Sequence, residues 1–132
     1  MVNLFDIKNK VFIITGASSG IGKKLCEEIH KYGAKVYGFS RRKLKTQNYK
    51  YIQCDLKNNK KFEAEIKKIY HKEKKISVLI NCAGITHQDN LTSSLKKFDD
   101  VINTNLKVPF LLSVTVSKFM KRGGSIINIC SL

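Results

Sequence analysis

The chain has 132 residues, of which 42% are hydrophobic and 27% charged, a balance typical of a single globular domain with a buried core. No apolar run approaches the roughly 20 residues that a membrane helix needs, and the N-terminus lacks a signal-peptide pattern, so we expect no membrane partner. Four widely spaced cysteines without a Cys-x-x-Cys pair predict a reducing, cytoplasmic setting with neither disulfides nor a bound metal.

The net charge of +15 admits two interpretations. It could mark a surface for nucleic acid or for an anionic membrane. Alternatively, the charge is spread over solvated helix faces, because all but three of the 25 basic residues are lysines scattered along the chain. Within residues 57–75, Phe62 falls at helical spacing with Ile66 and Ile69 on the side opposite most of the lysines, and not among them as a stacking platform would require, so we predict no nucleic-acid partner as the primary role.

Strand and helix patterns alternate along the chain. Strands are predicted at Val11–Thr15, Lys35–Phe39, Tyr51–Cys54, Val78–Asn81 and Ser125–Cys130. Helices are predicted at Gly20–Tyr32, Asn59–Lys72 and Leu95–Lys118. Because strands that alternate with long helices pair in parallel, the pattern predicts an α/β fold with one doubly wound parallel sheet, formed by residues 1–132 as a single domain.

The first strand is followed by Thr15-Gly16-Ala17-Ser18-Ser19-Gly20-Ile21-Gly22, which opens the first helix. Glycines allow the backbone to approach a phosphate closely, and a helix N-terminus presents unpaired N–H groups to it. The segment therefore predicts a dinucleotide diphosphate site in a Rossmann-like fold. The alternative is a glycine-rich connector without a ligand.

Three further local signals shape the expected elements. Gly33 follows the first helix in the position of a C-terminal cap. The connection from Ser40 to Lys50 is short, basic and weakly periodic, so its crossover helix is predicted to be a turn or absent. Pro109 lies inside the last helical pattern and predicts a kink or a helix start nearby.

Four later segments complete a recognisable series. They are Cys54-Asp55-Leu56, Asn81-Cys82-Ala83-Gly84, Asn103-Thr104-Asn105-Leu106 and the strand from Ser125 to Ser131. Together with the glycine-rich turn, these segments resemble the short-chain dehydrogenase/reductase superfamily over essentially the whole chain. The chain departs from the family motif at Cys82, where the family has a second asparagine.

The resemblance implies a nicotinamide dinucleotide as cofactor and assigns residues to it. In the family, the residue matching Asp55 accepts a hydrogen bond from the adenine amino group, although a carboxylate here also suits a helix N-cap. The residue matching Asn81 ties neighbouring strands together as well. The implied cofactor-binding residues are Gly16, Ser18, Ser19, Gly20, Ile21, Gly22, Ser40, Arg41, Arg42, Asp55, Leu56, Asn81, Ala83 and Gly84.

The end of the second strand indicates which dinucleotide is bound. An acidic residue there would hold the ribose 2′-OH of NAD, but this chain has Ser40 followed by Arg41 and Arg42. Guanidinium groups and a hydroxyl suit a 2′-phosphate, so we predict that NADP(H) is preferred over NAD(H). The alternative is that the two arginines are solvated loop charges.

The family's catalytic residues are Asn, Ser, Tyr and Lys. Asn105 matches the asparagine better than Asn103 does, and Ser131 matches the serine that polarises the carbonyl. The Tyr-x-x-x-Lys pair should follow Ser131, but the sequence stops at Leu132. The one such string, from Tyr70 to Lys74, lies in the lysine-rich helix, and we interpret it as a coincidence of helical spacing.

These motifs predict an NADP(H)-dependent oxidoreductase that interconverts a carbonyl and an alcohol by hydride transfer. The alternatives are a non-catalytic dinucleotide-binding module and an epimerase or dehydratase of the same superfamily. We expect the sequence to be the N-terminal part of a longer, homo-oligomeric protein, able at best to bind nucleotide when isolated. The segment 85–90 would border the pocket, but sugar derivatives, acyl thioesters, steroids and small ketones all remain open as substrates.

Overall fold

The computed structural model describes residues 6–44, 48–87 and 94–130. In these ranges the chain forms one sheet of five parallel strands, and their order across the sheet is β3-β2-β1-β4-β5. The strands are β1 (Val11–Thr15), β2 (Lys35–Ser40), β3 (Lys50–Gln53), β4 (Ile76–Asn81) and β5 (Met120–Asn128). The order reverses direction between β1 and β4, which is where open α/β sheets form a ligand-binding crevice.

The strands are connected by helices. These are α1 (Gly20–Lys31), α2 (Asn59–Glu73), α3 (Leu95–Ile102) and α4 (Val108–Ser117), with a π-helical segment (Asn103–Lys107) between α3 and α4. The prediction of a Rossmann-like, doubly wound parallel sheet is therefore confirmed. None of the helices in the described ranges is long and apolar enough to cross a membrane.

The sheet is packed on both faces because its central strand alternates between two hydrophobic clusters. Ile13 packs in one cluster with Phe39 of β2 and Phe62 of α2, whose rings meet edge to face with centroids 5.1 Å apart. Ile14 packs in the other cluster with Cys26 of α1. Each fully buried large side chain contributes roughly 1.5–3 kcal/mol of transfer free energy, so the two cores hold the strand ends firmly in place.

The helical pattern predicted from Leu95 to Lys118 forms α3, the π-helical segment and α4 in direct succession. The helix widens at the π-helical segment, where the N–H of Val108 donates to the carbonyl of Asn103, five residues earlier. Pro109 follows as the second residue of α4, so its missing N–H falls beside the turn in which regular α-helical bonding is already interrupted. The proline therefore marks a helix start, which is one of the two outcomes expected at that position.

The last strand begins earlier than its sequence pattern indicates. It starts at Met120 rather than Ser125, and its pairing with β4 shifts register between Ile76 and Val78. The polar and glycine-rich run 121–124 hides this start because it lacks the apolar alternation of a strand. In the described residues β5 lies at the edge of the sheet, and its Ile127 side chain remains 43% exposed.

Two connections behave as the sequence predicts. Gly33 has φ +82° directly after α1, and its N–H donates to the carbonyl of His30 at 2.9 Å. Between β2 and β3, the described residues 41–44 and 48–49 contain no helical turn. The chain therefore passes from β2 to β3 without a packed crossover helix in those residues, which leaves this corner of the sheet edge open.

Candidate functional site

A cavity of about 580 Å³ lies at the carboxyl-terminal edge of the sheet, where the strand order reverses. It is formed by the segments that follow the first four strands, together with the π-helical segment, the start of α4 and the end of β5. Its lining residues are Gly16, Ser18, Ser19, Ile21, Gly22, Ser40, Arg41, Arg42, Asp55, Leu56, Lys57, Cys82, Ala83, Gly84, Ile85, Thr104, Val108 and Ile129. Twelve of the predicted cofactor-binding residues are in this set; Gly20 and Asn81 are not.

Close packing explains why two positions of the turn that follows β1 are glycines. A Cβ on Gly22 would lie 2.4 Å from the carbonyl oxygen of Gly16, so α1 could not approach the turn with any other residue there. A Cβ on Gly16 would lie 3.0 Å from the backbone of Ala83. Gly20 differs, since its φ is +54° and a Cβ would meet nothing within 4 Å. Its outer side is therefore open to an approaching group.

The first turn of α1 presents backbone donors to this open space. Ser19 is the N-cap, and its side chain makes no capping hydrogen bond. The first amide bonded back to the cap is that of Lys23, which donates to the carbonyl of Ser19 at 3.2 Å. The amides of Gly20, Ile21 and Gly22 are therefore left without intrahelical acceptors. Such a helix terminus favours an anion, through both its N–H groups and its partial positive charge.

Thr15 ties the turn to the neighbouring strand. Its buried hydroxyl accepts the backbone N–H groups of Cys82, at 3.0 Å, and Ala83, at 3.1 Å. One side chain at the end of β1 therefore fixes the backbone that leaves β4. This contact brings the glycine-rich turn and the Ala83–Gly84 segment together as opposite walls of the cavity.

The end of β2 places two arginines at the rim. Their carbonyl groups are held by β3, since Gln53 donates to the carbonyl of Arg41 at 3.0 Å and the hydroxyl of Tyr51 donates to that of Arg42 at 2.5 Å. Neither guanidinium has a carboxylate partner in the part of the chain that the structure describes. The hydroxyl of Ser40 donates to that of Ser18 at 2.9 Å. The rim thus combines two unpaired cations with a hydroxyl pair.

Asp55 lies at the cavity with its side chain folded back on its own segment. Its carboxylate accepts the N–H of Lys57 at 3.0 Å. The N-cap of α2 is Asn58, whose side chain accepts the N–H of Lys61, so the alternative of Asp55 as a helix cap is wrong. The local turn of Asp55 uses one oxygen and leaves the rest of the carboxylate exposed at the cavity.

An ion cluster borders the cavity beside Asp55. Lys57 forms a salt bridge with Asp100 of α3, and the Nε2 atom of His87 lies 3.7 Å from the second oxygen of Asp100. The hydrogen bond from Lys57 lowers the pKa of the Asp100 carboxyl below its usual value. The cluster joins the segments after β3 and β4 to α3, three parts of the chain that are distant in sequence.

Asn81 is a structural link between strands, and its side chain is not part of the cavity wall. Its Nδ2 atom donates to Asn128 of β5 at 2.9 Å and to Ser113 of α4 at 3.2 Å. The following residue, Cys82, does line the cavity, and burial raises the pKa of its thiol above the usual value. The family motif's departure at Cys82 therefore changes a side chain at the cavity wall.

Asn105 lies in the π-helical segment and reaches back to the segment after β4. Its side chain accepts the N–H of Ile85 at 2.9 Å and donates to the carbonyl of the same residue at 2.8 Å. Asn105 is outside the cavity lining, whereas its neighbour Thr104 is part of it. The Oγ1 atom of Thr104 is buried without a hydrogen-bond partner among the described residues. Ser131, the other predicted catalytic residue, lies outside the described residues.

The Tyr70–Lys74 string plays a local role. The ring of Tyr70 packs against Phe119, with centroids 5.3 Å apart, and its carbonyl accepts the N–H of Lys74 at 2.7 Å. Lys74 has φ +61° and ends α2. Neither residue lines the cavity, in agreement with its interpretation as a product of helical spacing.

A family model described as short chain dehydrogenase matches residues 10–132. This chain belongs to the short-chain dehydrogenase family. It is 38% identical over 141 residues to a 3-oxoacyl-(acyl-carrier-protein) reductase of Rickettsia prowazekii, a match that covers 98% of this chain and 56% of that protein. The chain thus spans about half the length of this relative.

Solved structures agree with the assignment. Ligand-free aldohexose dehydrogenase of Thermoplasma acidophilum superposes with a TM-score of 0.91 at 34% identity, over 96% of this chain and 51% of that one. A short-chain dehydrogenase of Leptospira borgpetersenii with bound NAD+ gives a TM-score of 0.85 at 27% identity, over 97% of this chain and 54% of that one. The resemblance drawn from the sequence motifs is therefore confirmed at the level of family and fold.

In this member of the family, the structure adds residues that sequence reasoning did not assign to the site. Thr15 stands at the end of a buried apolar strand, and a hydroxyl in that position is a signal that could have identified it. Lys57 and Asp100 are 43 positions apart, so no local pattern could have paired them. The further lining residues are Cys82, Thr104, Val108 and Ile129. Of the segment 85–90, which was predicted to border the pocket, Ile85 lines the cavity, and 88–90 lie outside the described residues.

Proposed function

We propose that this chain is the cofactor-binding part of an NADP(H)-dependent oxidoreductase that interconverts a carbonyl and an alcohol. The observation that carries the proposal is the pair of unpaired guanidinium groups of Arg41 and Arg42 beside the Ser18 and Ser40 hydroxyls. A 2′-phosphate would satisfy both charges, whereas an unmodified ribose would leave them without a partner.

The geometry of the cavity suits the rest of a dinucleotide. The open side of Gly20 and the free amides of Ile21 and Gly22 would hold the diphosphate. The exposed carboxylate of Asp55, next to Leu56, would accept the adenine amino group. Ala83 and Gly84 would line the wall along the remainder of the molecule. When bound, the nicotinamide supplies or accepts the hydride.

Asn105 and Ser131 are proposed as the catalytic residues that this chain contributes. Both ends of the Asn105 amide are engaged by Ile85, so this side chain would act by holding the segment at the cavity wall. Ser131 would polarise the substrate carbonyl. A phenol with a pKa near 10 needs a cationic neighbour to transfer a proton at neutral pH, so turnover requires a tyrosine and lysine pair; among the described residues no tyrosine lines this cavity.

The corresponding whole protein is proposed to reduce or oxidise a small carbonyl or alcohol substrate in the cytoplasm as a homo-oligomer. Its relatives are named as a 3-oxoacyl-(acyl-carrier-protein) reductase and an aldohexose dehydrogenase, and both names describe carbonyl–alcohol chemistry. The isolated 132-residue chain is proposed to bind the dinucleotide without efficient turnover.

Calorimetric titration with matched nucleotide pairs tests the cofactor assignment. We expect NADPH to bind more tightly than NADH, and 2′,5′-ADP to bind more tightly than 5′-AMP, because each pair differs only in the 2′-phosphate. The smaller pair isolates the contact with Arg41 and Arg42 from every contact made by the nicotinamide half. Equal affinities within both pairs would refute the NADP(H) preference, and the lack of binding by all four nucleotides would refute the cofactor site itself.

A further inference from the structure

A second cavity, of about 560 Å³, lies at the opposite edge of the sheet from the dinucleotide site. It is bounded by the starts of β2 and β3 and by the ends of α1 and α2, in the corner that the short β2–β3 connection leaves open. Its lining residues are His30, Ala34, Lys35, Val36, Tyr37, Asn48, Tyr49, Lys50, Lys72 and Glu73. The set contains three lysines and a single carboxylate, so the cavity is positively charged.

The carboxylate of this cavity is already fully engaged. Glu73 accepts hydrogen bonds from the ammonium of Lys35 at 2.5 Å and from the hydroxyl of Tyr37 at 2.6 Å. Its side chain is only 5% exposed. Lys35 therefore neutralises Glu73, and the net positive charge of the cavity belongs to Lys50 and Lys72.

Lys50 and Lys72 form no ion pair within the described ranges. The ammonium of Lys50 lies 5.4 Å from the centre of the Tyr37 ring. Lys72 lies close enough to Lys50 to lower its pKa, because two neighbouring ammonium groups repel each other. An anion placed between them would remove this repulsion and gain two charge-assisted hydrogen bonds.

The floor of the cavity suits the body of such an anion. The floor is apolar, because Ala34 and Val36 are 3% exposed and Tyr49 is 6% exposed. A ligand with a charged group and a compact body would therefore find both a cationic rim and a surface to pack on.

We propose that this cavity binds a small phosphate-bearing anion, with the phosphate held by Lys50 and Lys72. The site is separate from the dinucleotide cavity and shares no lining residue with it. The same phosphate chemistry occurs in nucleic acids, so the test separates free phosphates from a polynucleotide.

Amide chemical shifts of the isotope-labelled chain, titrated with inorganic pyrophosphate, locate the binding directly. We expect saturable shifts at Val36, Lys50 and Glu73 that are independent of any shifts at Gly20 and Gly22. Binding at one cavity can then fail while the other persists, so this proposal and the dinucleotide proposal are judged separately. Shifts confined to the glycine-rich turn would overturn the second site.

Charge-matched variants test the two lysines. The Lys50→Gln/Lys72→Gln variant should bind pyrophosphate at least about tenfold more weakly at this cavity, because two charge-assisted contacts are lost. Lys96→Gln/Lys107→Gln removes the same charge from exposed helical positions outside both cavities and should leave the affinity unchanged. The Lys50→Arg/Lys72→Arg variant keeps the charge and should retain binding. Equal losses in the two glutamine variants would indicate a general charge effect and would overturn the site.

A short DNA duplex provides the second arm. A small-anion site is supported if pyrophosphate does not displace bound duplex. It is also supported if pyrophosphate changes the amide chemical shifts of this cavity's residues and the duplex does not. If the duplex instead shifts Lys50 and Glu73 at far lower concentration than pyrophosphate does, the cavity is part of a polynucleotide surface and the small-anion proposal is wrong.

Discussion

The hydroxyl of Thr15 accepts the backbone N–H of Ala83 at 3.1 Å, so a side chain at the end of β1 holds the backbone that leaves β4. The same oxygen also accepts the N–H of Cys82. Removing it leaves two partly buried donors without an acceptor. The walls of the proposed dinucleotide cavity are therefore coupled through one oxygen atom.

Thr15→Val keeps the shape of the side chain and removes this acceptor. We expect the free energy of unfolding to fall by about 2 kcal/mol, because unsatisfied buried amides are costly, and NADPH affinity to fall as the walls separate. Urea denaturation and calorimetric titration measure the two effects. Thr15→Ser retains the hydroxyl and should stay close to the parent chain in both. A valine variant as stable as the parent would contradict the coupling.

The two arginines of the rim give a specific expectation for cofactor choice. Arg41→Ser/Arg42→Ser should weaken NADPH binding at least about tenfold, while the affinity for NADH changes little, because only the former carries a 2′-phosphate. Lys121→Ser/Arg122→Ser removes the same charge from exposed positions of β5 and serves as the control. The assignment would be wrong if NADPH and NADH lost affinity equally in the arginine variant.

Gly20 and Gly123 form a matched pair of substitution sites. Both have positive φ, at +54° and +89°, and a Cβ on either meets nothing within 4 Å. Each alanine variant should therefore lose a similar stability, about 1–2 kcal/mol, from backbone strain alone. Only Gly20→Ala should also weaken NADPH binding, since only this Cβ occupies the open side of the phosphate turn. Parallel titrations of the two variants decide the point, and unchanged NADPH affinity in Gly20→Ala would count against the turn as the diphosphate site.

Asn105 is expected to hold the segment after β4 through Ile85. Asn105→Ala removes both hydrogen bonds, so amide exchange at Ile85 should become faster and the free energy of unfolding should fall by roughly 1–2 kcal/mol. Asn105→Asp keeps the acceptor for the Ile85 N–H and should protect that amide more than the alanine does. Exchange at Ile85 as slow in the alanine variant as in the parent would contradict this positioning role.

The Glu73 carboxylate makes the free energy of unfolding depend on pH in the acidic range. Burial opposes its ionisation, but the hydrogen bonds from Lys35 and Tyr37 outweigh that effect and lower the pKa of Glu73 below its usual value. A lowered pKa means that the ionised group stabilises the folded state above the unfolded-state pKa of about 4.3, and that this stability is lost as the pH falls through the folded-state pKa.

Glu73→Gln should therefore be less stable than the parent at neutral pH, and the difference should shrink as the pH falls below about 4. Urea denaturation across this range measures the difference. Glu27→Gln, which removes a carboxylate from the surface of α1, should show little difference at any pH. A gap between Glu73→Gln and the parent that stays constant with pH would show that the ionised form of Glu73 makes no contribution.

The sequence predicted the parts of the molecule that follow from local periodicity. The buried run of β1 and the glycine spacing after it located the first strand and the glycine-rich turn that opens α1, because both depend on residues adjacent in the chain. The N-cap of α2 was harder to assign, since Asp55 and Asn58 are both good capping residues and only the path of the backbone selects Asn58.

Features that depend on distant partners could not be predicted in this way. The pairing of Lys57 with Asp100 and the hold of Asn105 on Ile85 exist only once β4 and α3 are in place. The widened turn before Pro109 was likewise hidden, because its residues continue the helical pattern on either side. Ser131 stays a prediction, as does the role of every residue assigned to the cofactor.

The π-helical segment separates two helices that differ in burial, α3 and α4. In α4, Val108, Leu112 and Val116 are buried, whereas α3 buries none of its eight residues. The wider turn rotates the side chains of α3 relative to those of α4. The face that α4 buries in the core therefore does not continue along α3. Substitutions in α3, whose Asp100 pairs with the lining residue Lys57, can therefore change the surface beside the cavity while the buried side chains of α4 stay undisturbed.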